Sequence, residues 1–182
     1  MMRKLKLSEL GRLDVDGFRA AAKVPVVLIL DNLRSAHNVG SLFRTSDAFA
    51  LEGLALCGFT GQPPHREIEK TALGATESVN WTYFSTTIEA ITHYKSLGFS
   101  IVGIEQTTSS VPMSKFEVDT SLVGYALVLG NEVEGVSDEA LGLCDWVLEL
   151  EQFGTKHSLN VAVCGAIFAW YFASSYFIES SS

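Results

Sequence analysis

Short apolar runs punctuate the chain at residues 24–30, 54–58, 79–84, 99–104, 125–129 and 146–150. The first, Val24-Pro-Val-Val-Leu-Ile-Leu30, shows no polar alternation and predicts a strand covered on both faces. Between the runs, helical spacing of apolar positions predicts helices over 38–50, 67–73, 87–97, 137–143 and 158–177. Strands alternating with helices predict an α/β fold, a mostly parallel sheet with helices on both faces. Nothing repeats, and no linker is long enough to divide the chain. The expected organisation is a short N-terminal extension over residues 1–23, one domain over 24–178 and a frayed tail over 179–182.

Three compact polar loops, each wedged between an apolar run and a helix, carry the candidate chemistry. Open α/β sheets bind ligands at the carboxyl ends of strands, so the three should share one rim. The first is Asn32-Leu-Arg34-Ser-Ala-His-Asn38-Val-Gly40, followed by Arg44-Thr45. Along its helix Val39, Leu42, Phe43, Phe49 and Ala50 share a face, which leaves Arg44 on the polar side with Gly40, Ser41 and Asp47. Free N–H groups at this helix start would seat a phosphate, with Arg34 adding a bidentate contact. The same residues also read as an Asn-capped helix with two surface arginines.

The second loop is Gly130-Asn131-Glu132-Val-Glu134-Gly135, with Ser137 able to cap the helix that follows. Gly130 would let a ligand approach the backbone closely, and Glu132 or Glu134 could receive a hydroxyl or an amine. A solvated acidic turn accounts equally well for Glu134. The third loop is Leu150-Glu-Gln-Phe-Gly154-Thr-Lys-His-Ser158-Leu159-Asn160, with Ser158 as the expected cap of the final helix.

The net charge of −8 argues against nucleic-acid binding through global positive charge. Such binding would need local basic residues, for which Arg3, Lys4 and Lys6 are candidates, although a solvated terminus explains the same run. Cys57, Cys144 and Cys164 are far apart and form no metal-ligand spacing, so no metal is expected and a reducing cytoplasm fits. The longest apolar stretch, residues 159–173, carries Asn160 and falls short of the roughly 20 residues that span a bilayer. It reads as a buried helix, without a membrane partner.

Taken together, the loops resemble the three motifs of the SpoU/TrmH family of knotted RNA methyltransferases. The first motif, N-x-x-R-x-x-x-N-x-G followed by R-T, is matched at Asn32, Asn38, Gly40, Arg44 and Thr45, with Arg34 one position early. The second, G-[N/S]-E-x-x-G, is matched at Gly130, Asn131, Glu132 and Gly135. The third, I-P-x-x-G-x-x-x-S-L-N-V, is matched at Gly154, Ser158, Leu159, Asn160 and Val161, but Glu151 stands where the family has proline. Proline stiffens a turn and glutamate does not, so the departure implies a loosened or repositioned loop.

The resemblance implies Asn38 and Arg44 as a catalytic pair, with Glu132, Ser158 and Asn160 as further catalytic-site residues. It implies an S-adenosyl-L-methionine site formed by Gly130, Asn131, Leu150, Gly154, Ser158 and Leu159, the two leucines flanking the adenine. RNA contacts would fall to Arg34, Arg44, Arg3, Lys4 and Lys6. The implied reaction methylates a ribose 2′-hydroxyl, with transfer RNA expected on size alone. Arg44 would act either as a base in a transient tautomer or as a stabiliser of developing alkoxide.

The implied fold is SPOUT-type, its C-terminal segment threaded into a deep trefoil knot. A homodimer through the final helix and the motif loops is also implied. The all-round apolar final helix, with Phe168, Trp170, Tyr171 and Phe172, fits burial against a second copy. Two rivals stand beside this reading. One is a catalytically weak RNA-binding or assembly factor on the same fold; the other is a flavodoxin-like nucleotide module, for which no GxGxxG or GxxxxGK[ST] fingerprint occurs.

Overall fold

Strand β1, Val24–Asp31, is central to the computed structural model, which describes residues 2–179. Its residues alternate between two cores. Val26, Leu28 and Leu30 pack with Val39, Leu42, Phe43, Phe168 and Phe172, whereas Val27 and Ile29 pack with Ala90, Ile91, Val136 and Ala140. This two-sided covering is why the run carries no polar alternation. Val26 to Leu30 are wholly buried. At roughly 1.5–3 kcal/mol per buried Val, Ile or Leu side chain, this strand anchors the loop at its end firmly.

The other strands are β2 Leu51–Cys57, β3 Trp81–Phe84, β4 Ser100–Ile104, β5 Val111–Pro112, β6 Tyr125–Leu129 and β7 Trp146–Glu149. They form one sheet in the order β3-β2-β1-β6-β4-β7-β5, and every pairing is parallel. The helices are α1 Val15–Ala20, α2 Ala36–Ala48, α3 Arg66–Ala72, α4 Ala75–Ser78, α5 Thr87–Ser96, α6 Asp138–Leu141 and α7 Val161–Glu179. Helices α2 and α7 cover one face of the sheet; α5 and α6 cover the other.

The expected α/β architecture is present, with shifted boundaries. Strand β2 begins three residues earlier than its apolar run, because Leu51 pairs with Val24 although exposed Glu52 interrupts the pattern. The run at 79–84 starts as the end of α4, and only Trp81–Phe84 is strand. Helices α1 and α4, strand β5 and two 3-10 turns were not anticipated; each is too short to show a period. The predicted tail changes too: Glu179 still belongs to α7, and residues 180–182 lie outside the described residues.

Helix α7 corrects a second expectation. Phe168 and Phe172 are wholly buried in the chain's own core, not turned toward a second copy. Phe172 packs edge-on to Tyr125 at 4.8 Å between ring centroids. Among the described residues it is the opposite side of α7 that is open, where Val163 is 50%, Trp170 52% and Phe177 39% exposed. Among the described residues no helix is long and apolar enough to cross a membrane.

Candidate active site

All three polar loops leave the carboxyl ends of parallel strands, after β1, β6 and β7, and so share the expected rim. A chain of side-chain amides joins them. Asn160 Oδ1 accepts from the N–H groups of Ala162 and Val163 at 2.9 and 3.3 Å, so Asn160 caps α7. That fixes its amide orientation: Asn160 Nδ2 must point away, and it donates to Asn38 Oδ1 at 3.1 Å. Asn38 Nδ2 is thereby turned to Glu132 Oε1, at 2.8 Å. One helix cap thus dictates the order of donors across three loops.

Two expectations change here. Ser158 is exposed and does not cap the final helix; the helix starts later, behind Asn160. Helix α2 is capped by Ser35, whose Oγ accepts from Asn38 N–H at 3.3 Å, so Asn38 is free to use its amide across the loops.

The anion seat expected at the start of α2 holds an internal anion. Glu132 accepts from the backbone N–H of Arg34 at 3.0 Å and of Ser35 at 3.2 Å, besides Asn38. The Arg34 and Ser35 N–H groups are thus taken by a charge that belongs to the protein, which the positive end of the helix favours. Desolvation pushes the Glu132 carboxyl up, but its hydrogen bonds from Arg34, Asn38 and Ser35 outweigh that and leave it below 4.5. A carboxyl lowered on folding stabilises the fold above its unfolded value and loses that contribution as pH falls through the folded value. Glu132→Gln is therefore expected to destabilise the protein at pH 7, with the gap from wild type closing as pH falls through the lowered value of the Glu132 carboxyl in parallel urea titrations.

Loop 130–136 is stiff for internal reasons. Asn131 Oδ1 accepts from Val133 and Glu134 N–H groups, both at 2.8 Å, and Asn131 pairs with Gly135 through two backbone bonds. A Cβ on Gly130 would lie 2.0 Å from Gly135 C and 2.1 Å from Val136 N. Glycine at 130 thus serves the chain's own backbone crossing, besides lining the cavity described below. Buried Asp31 ties the loop's far end down: Oδ2 accepts from Ser137 N and Oγ, and Oδ1 accepts from Thr87 Oγ1 at 2.5 Å.

Between these loops lies a cavity of about 520 Å³. Apolar Ile104, Leu129, Leu150 and Leu159 line it, together with Gly130, Asn131, Ser158 and Asn160. Glu105, Glu132, Glu134 and Glu149 also line it, and no Lys or Arg does. Sequence reasoning missed Ile104, which ends β4 beside β6, and Glu105 and Gln106, which follow it; a polar pair directly after an apolar run was the available signal. Glu105 braces the rim by accepting from Gln106 and Val136 N–H groups at 2.9 and 3.0 Å. Cys164 reaches the cavity too, but burial and then Glu105 push its thiol up to about 11, so it is protonated and inert at neutral pH. Among the described residues no group of His, Cys, Asp and Glu is placed to hold a metal.

A family model described as the SpoU rRNA Methylase family matches residues 25–170. The chain belongs to this family. It is 30% identical over 141 residues to a Staphylococcus aureus protein named for the TrmH family of tRNA/rRNA methyltransferases, covering 78% of this chain and 55% of that one. It is 28% identical over 161 residues to the 23S rRNA (guanosine-2′-O-)-methyltransferase RlmB of Vibrio vulnificus, covering 87% and 63%. The chain thus spans little more than half the length of the Staphylococcus relative. The AdoMet-bound rRNA methyltransferase of Sinorhizobium meliloti shares the fold, with a TM-score of 0.77 at 22% identity over 87% of this chain and 60% of that one.

Two SpoU-family motif positions depart from expectation. Glu151, in the family's proline position, accepts from Ser114 Oγ at 2.5 Å. Its side chain ties the third loop to the 3-10 turn at Met113–Lys115 and does not line the cavity. Gly154 is exposed, with nothing within 4 Å of an added Cβ, and does not line the cavity either.

The predicted basic residues are scattered. Arg44 is exposed on α2, beyond the lining of its own chain's cavity, and has no side-chain hydrogen bond or ion pair among the described residues. Asn38 therefore meets Glu132 and Asn160, not the Arg44 with which it was expected to pair. Arg34 is exposed and engaged only through its backbone. Arg3 is held by Glu9, while Lys4 and Lys6 are exposed. His37, in the first loop, bonds Glu67 at 2.8 Å.

Proposed function

We propose that this chain transfers a methyl group from S-adenosyl-L-methionine to a ribose 2′-hydroxyl of RNA, with transfer RNA as the substrate. The single observation that carries this is the acidic, leucine-walled cavity locked by the Asn160–Asn38–Glu132 chain. Its volume falls within the roughly 300–1,000 Å³ of small-molecule sites. Four carboxylates without a basic residue repel phosphate and favour a cationic, phosphate-free ligand. That speaks against a flavodoxin-like nucleotide module and for a sulfonium donor. The chain works in a reducing cytoplasm, a reading supported by its three free cysteines.

Bound here, S-adenosyl-L-methionine supplies a methyl group activated by its sulfonium. Leu129, Leu150 and Leu159 would hold the flat adenine, and the backbone at Gly130, Ser158 and Leu159 its polar edge. Glu105 and Glu149 supply charge complementary to the donor. Asn38 is locked at both ends of its amide, so it positions and does not exchange protons. Arg44 answers to the hydroxyl: a guanidinium keeps its proton, which suits stabilising a developing alkoxide better than acting as base.

Arg44 reaches a cavity when a second copy supplies it. The open face of α7, with Ser41, Val163, Ala166, Ile167 and Trp170, forms a groove next to Asn38 and Asn160. We place the homodimer there, and the trefoil knot in the third loop. Calorimetry with S-adenosyl-L-methionine is expected to show micromolar binding, and ribose-methylation mapping of RNA from a deletion strain a missing 2′-O-methyl group. Absence of donor binding would turn the assignment into an RNA-binding factor on the same fold.

A further inference from the structure

The mouth of the cavity is chemically lopsided. With four carboxylates in the lining and no Lys or Arg, an RNA phosphate is repelled there. On the reading under Proposed function, which this inference presupposes, a target nucleotide must nevertheless come to that mouth. The loops around the opening also carry two exposed apolar side chains: Phe153 is 94% exposed and Val133 70%. Phe153 lies between Gln152 and His157 in sequence, and both of those line the cavity. Its ring pairs with no other aromatic ring among the described residues.

The loop carrying Phe153 is held on both sides. Glu151 accepts from Ser114 at 2.5 Å, and His157 C=O accepts from Gln106 Nε2 at 3.3 Å. The segment that presents the ring is thereby pinned at its two ends, at Glu151 and His157. Every nucleobase has a π-face, and an exposed ring gains affinity from stacking without needing positive charge. We infer that Phe153 is the stacking platform for the base of the target nucleotide, which is read at this rim by its face and not by its phosphate. Lys156, exposed on the same loop and outside the cavity lining, serves a flanking phosphate.

The test uses the full chain, radiolabelled S-adenosyl-L-methionine and total RNA from a strain deleted for the gene. Phe153→Ala raises KM for RNA about 10-fold, while kcat and the donor Kd stay within about 2-fold. Phe153→Trp restores KM, and Phe153→Leu, which keeps apolar surface but no ring, does not. An unchanged KM in Phe153→Ala overturns the inference. So does full rescue by leucine, which indicates plain apolar contact, and so does a lost donor affinity or an altered oligomeric state, which makes the ring part of the cofactor lid or of an interface. A wild-type chain that methylates nothing and binds no donor removes the proposed function itself and this inference with it, an outcome distinct from an active wild type with indifferent variants.

Discussion

Arg44→Ala is expected to lower kcat for methyl transfer by about 100-fold or more, the cost typical of removing one preorganised donor to a developing oxyanion. Donor affinity and Tm should stay at wild-type values. Arg44 is exposed, does not line the cavity of its own chain and has no hydrogen-bonded partner among the described residues. Surface substitutions of that kind shift stability by no more than about 0.5 kcal/mol. Arg44→Lys keeps the charge but not the planar fork, so partial activity is expected. Single-turnover methylation measured with calorimetry on the same samples separates chemistry from binding. Full activity in Arg44→Ala would end the assignment, and mixing Arg44→Ala with a donor-site variant tests supply from a second copy through recovered activity.

Gly130→Ala has the second large expected effect, and its origin is steric. The new methyl would sit 2.0–2.4 Å from the backbone C and O of Gly135 and N of Val136. Backbone atoms cannot swing aside as a long side chain does, so the turn must open and break the Asn131–Gly135 pairing. A loss of about 3 kcal/mol is expected, at the upper end of overpacking costs. Donor binding should vanish with the turn, because Gly130, Asn131 and Glu132 all line the cavity. Gly154→Ala is the control: nothing lies near its added Cβ, and a change within about 0.5 kcal/mol is expected. Urea midpoints and donor calorimetry on both variants check the pair. Normal binding by Gly130→Ala would show that the crossing relaxes more easily than its geometry implies.

The contrast between these glycines shows where motif reading succeeds and fails. Both fall in matched motif positions, yet one is required by a backbone crossing and the other is unconstrained within the chain. Glu132 makes the same point. A glutamate in a polar loop reads as a group for a ligand, but its oxygens are spent on Arg34, Ser35 and Asn38, some hundred residues earlier in the chain. No local pattern announces a hydrogen bond of that span. Asp31, buried at the end of β1, escaped notice because a single acid after an apolar run resembles the start of any loop.

Apolar periodicity by itself determined the alternation of strands and helices, the two-sided burial of β1 and the placing of three polar loops at strand ends. Those follow from short-range physics, since a residue's hydropathy and spacing decide which face it buries. Tertiary structure alone decided which amide meets which carboxylate, that Glu132 takes the Arg34 and Ser35 N–H groups, that Phe168 and Phe172 turn inward, and that Arg44 stands apart from Asn38. Each of these depends on elements distant in sequence arriving side by side, and on buried polar groups taking whatever partner that arrival offers.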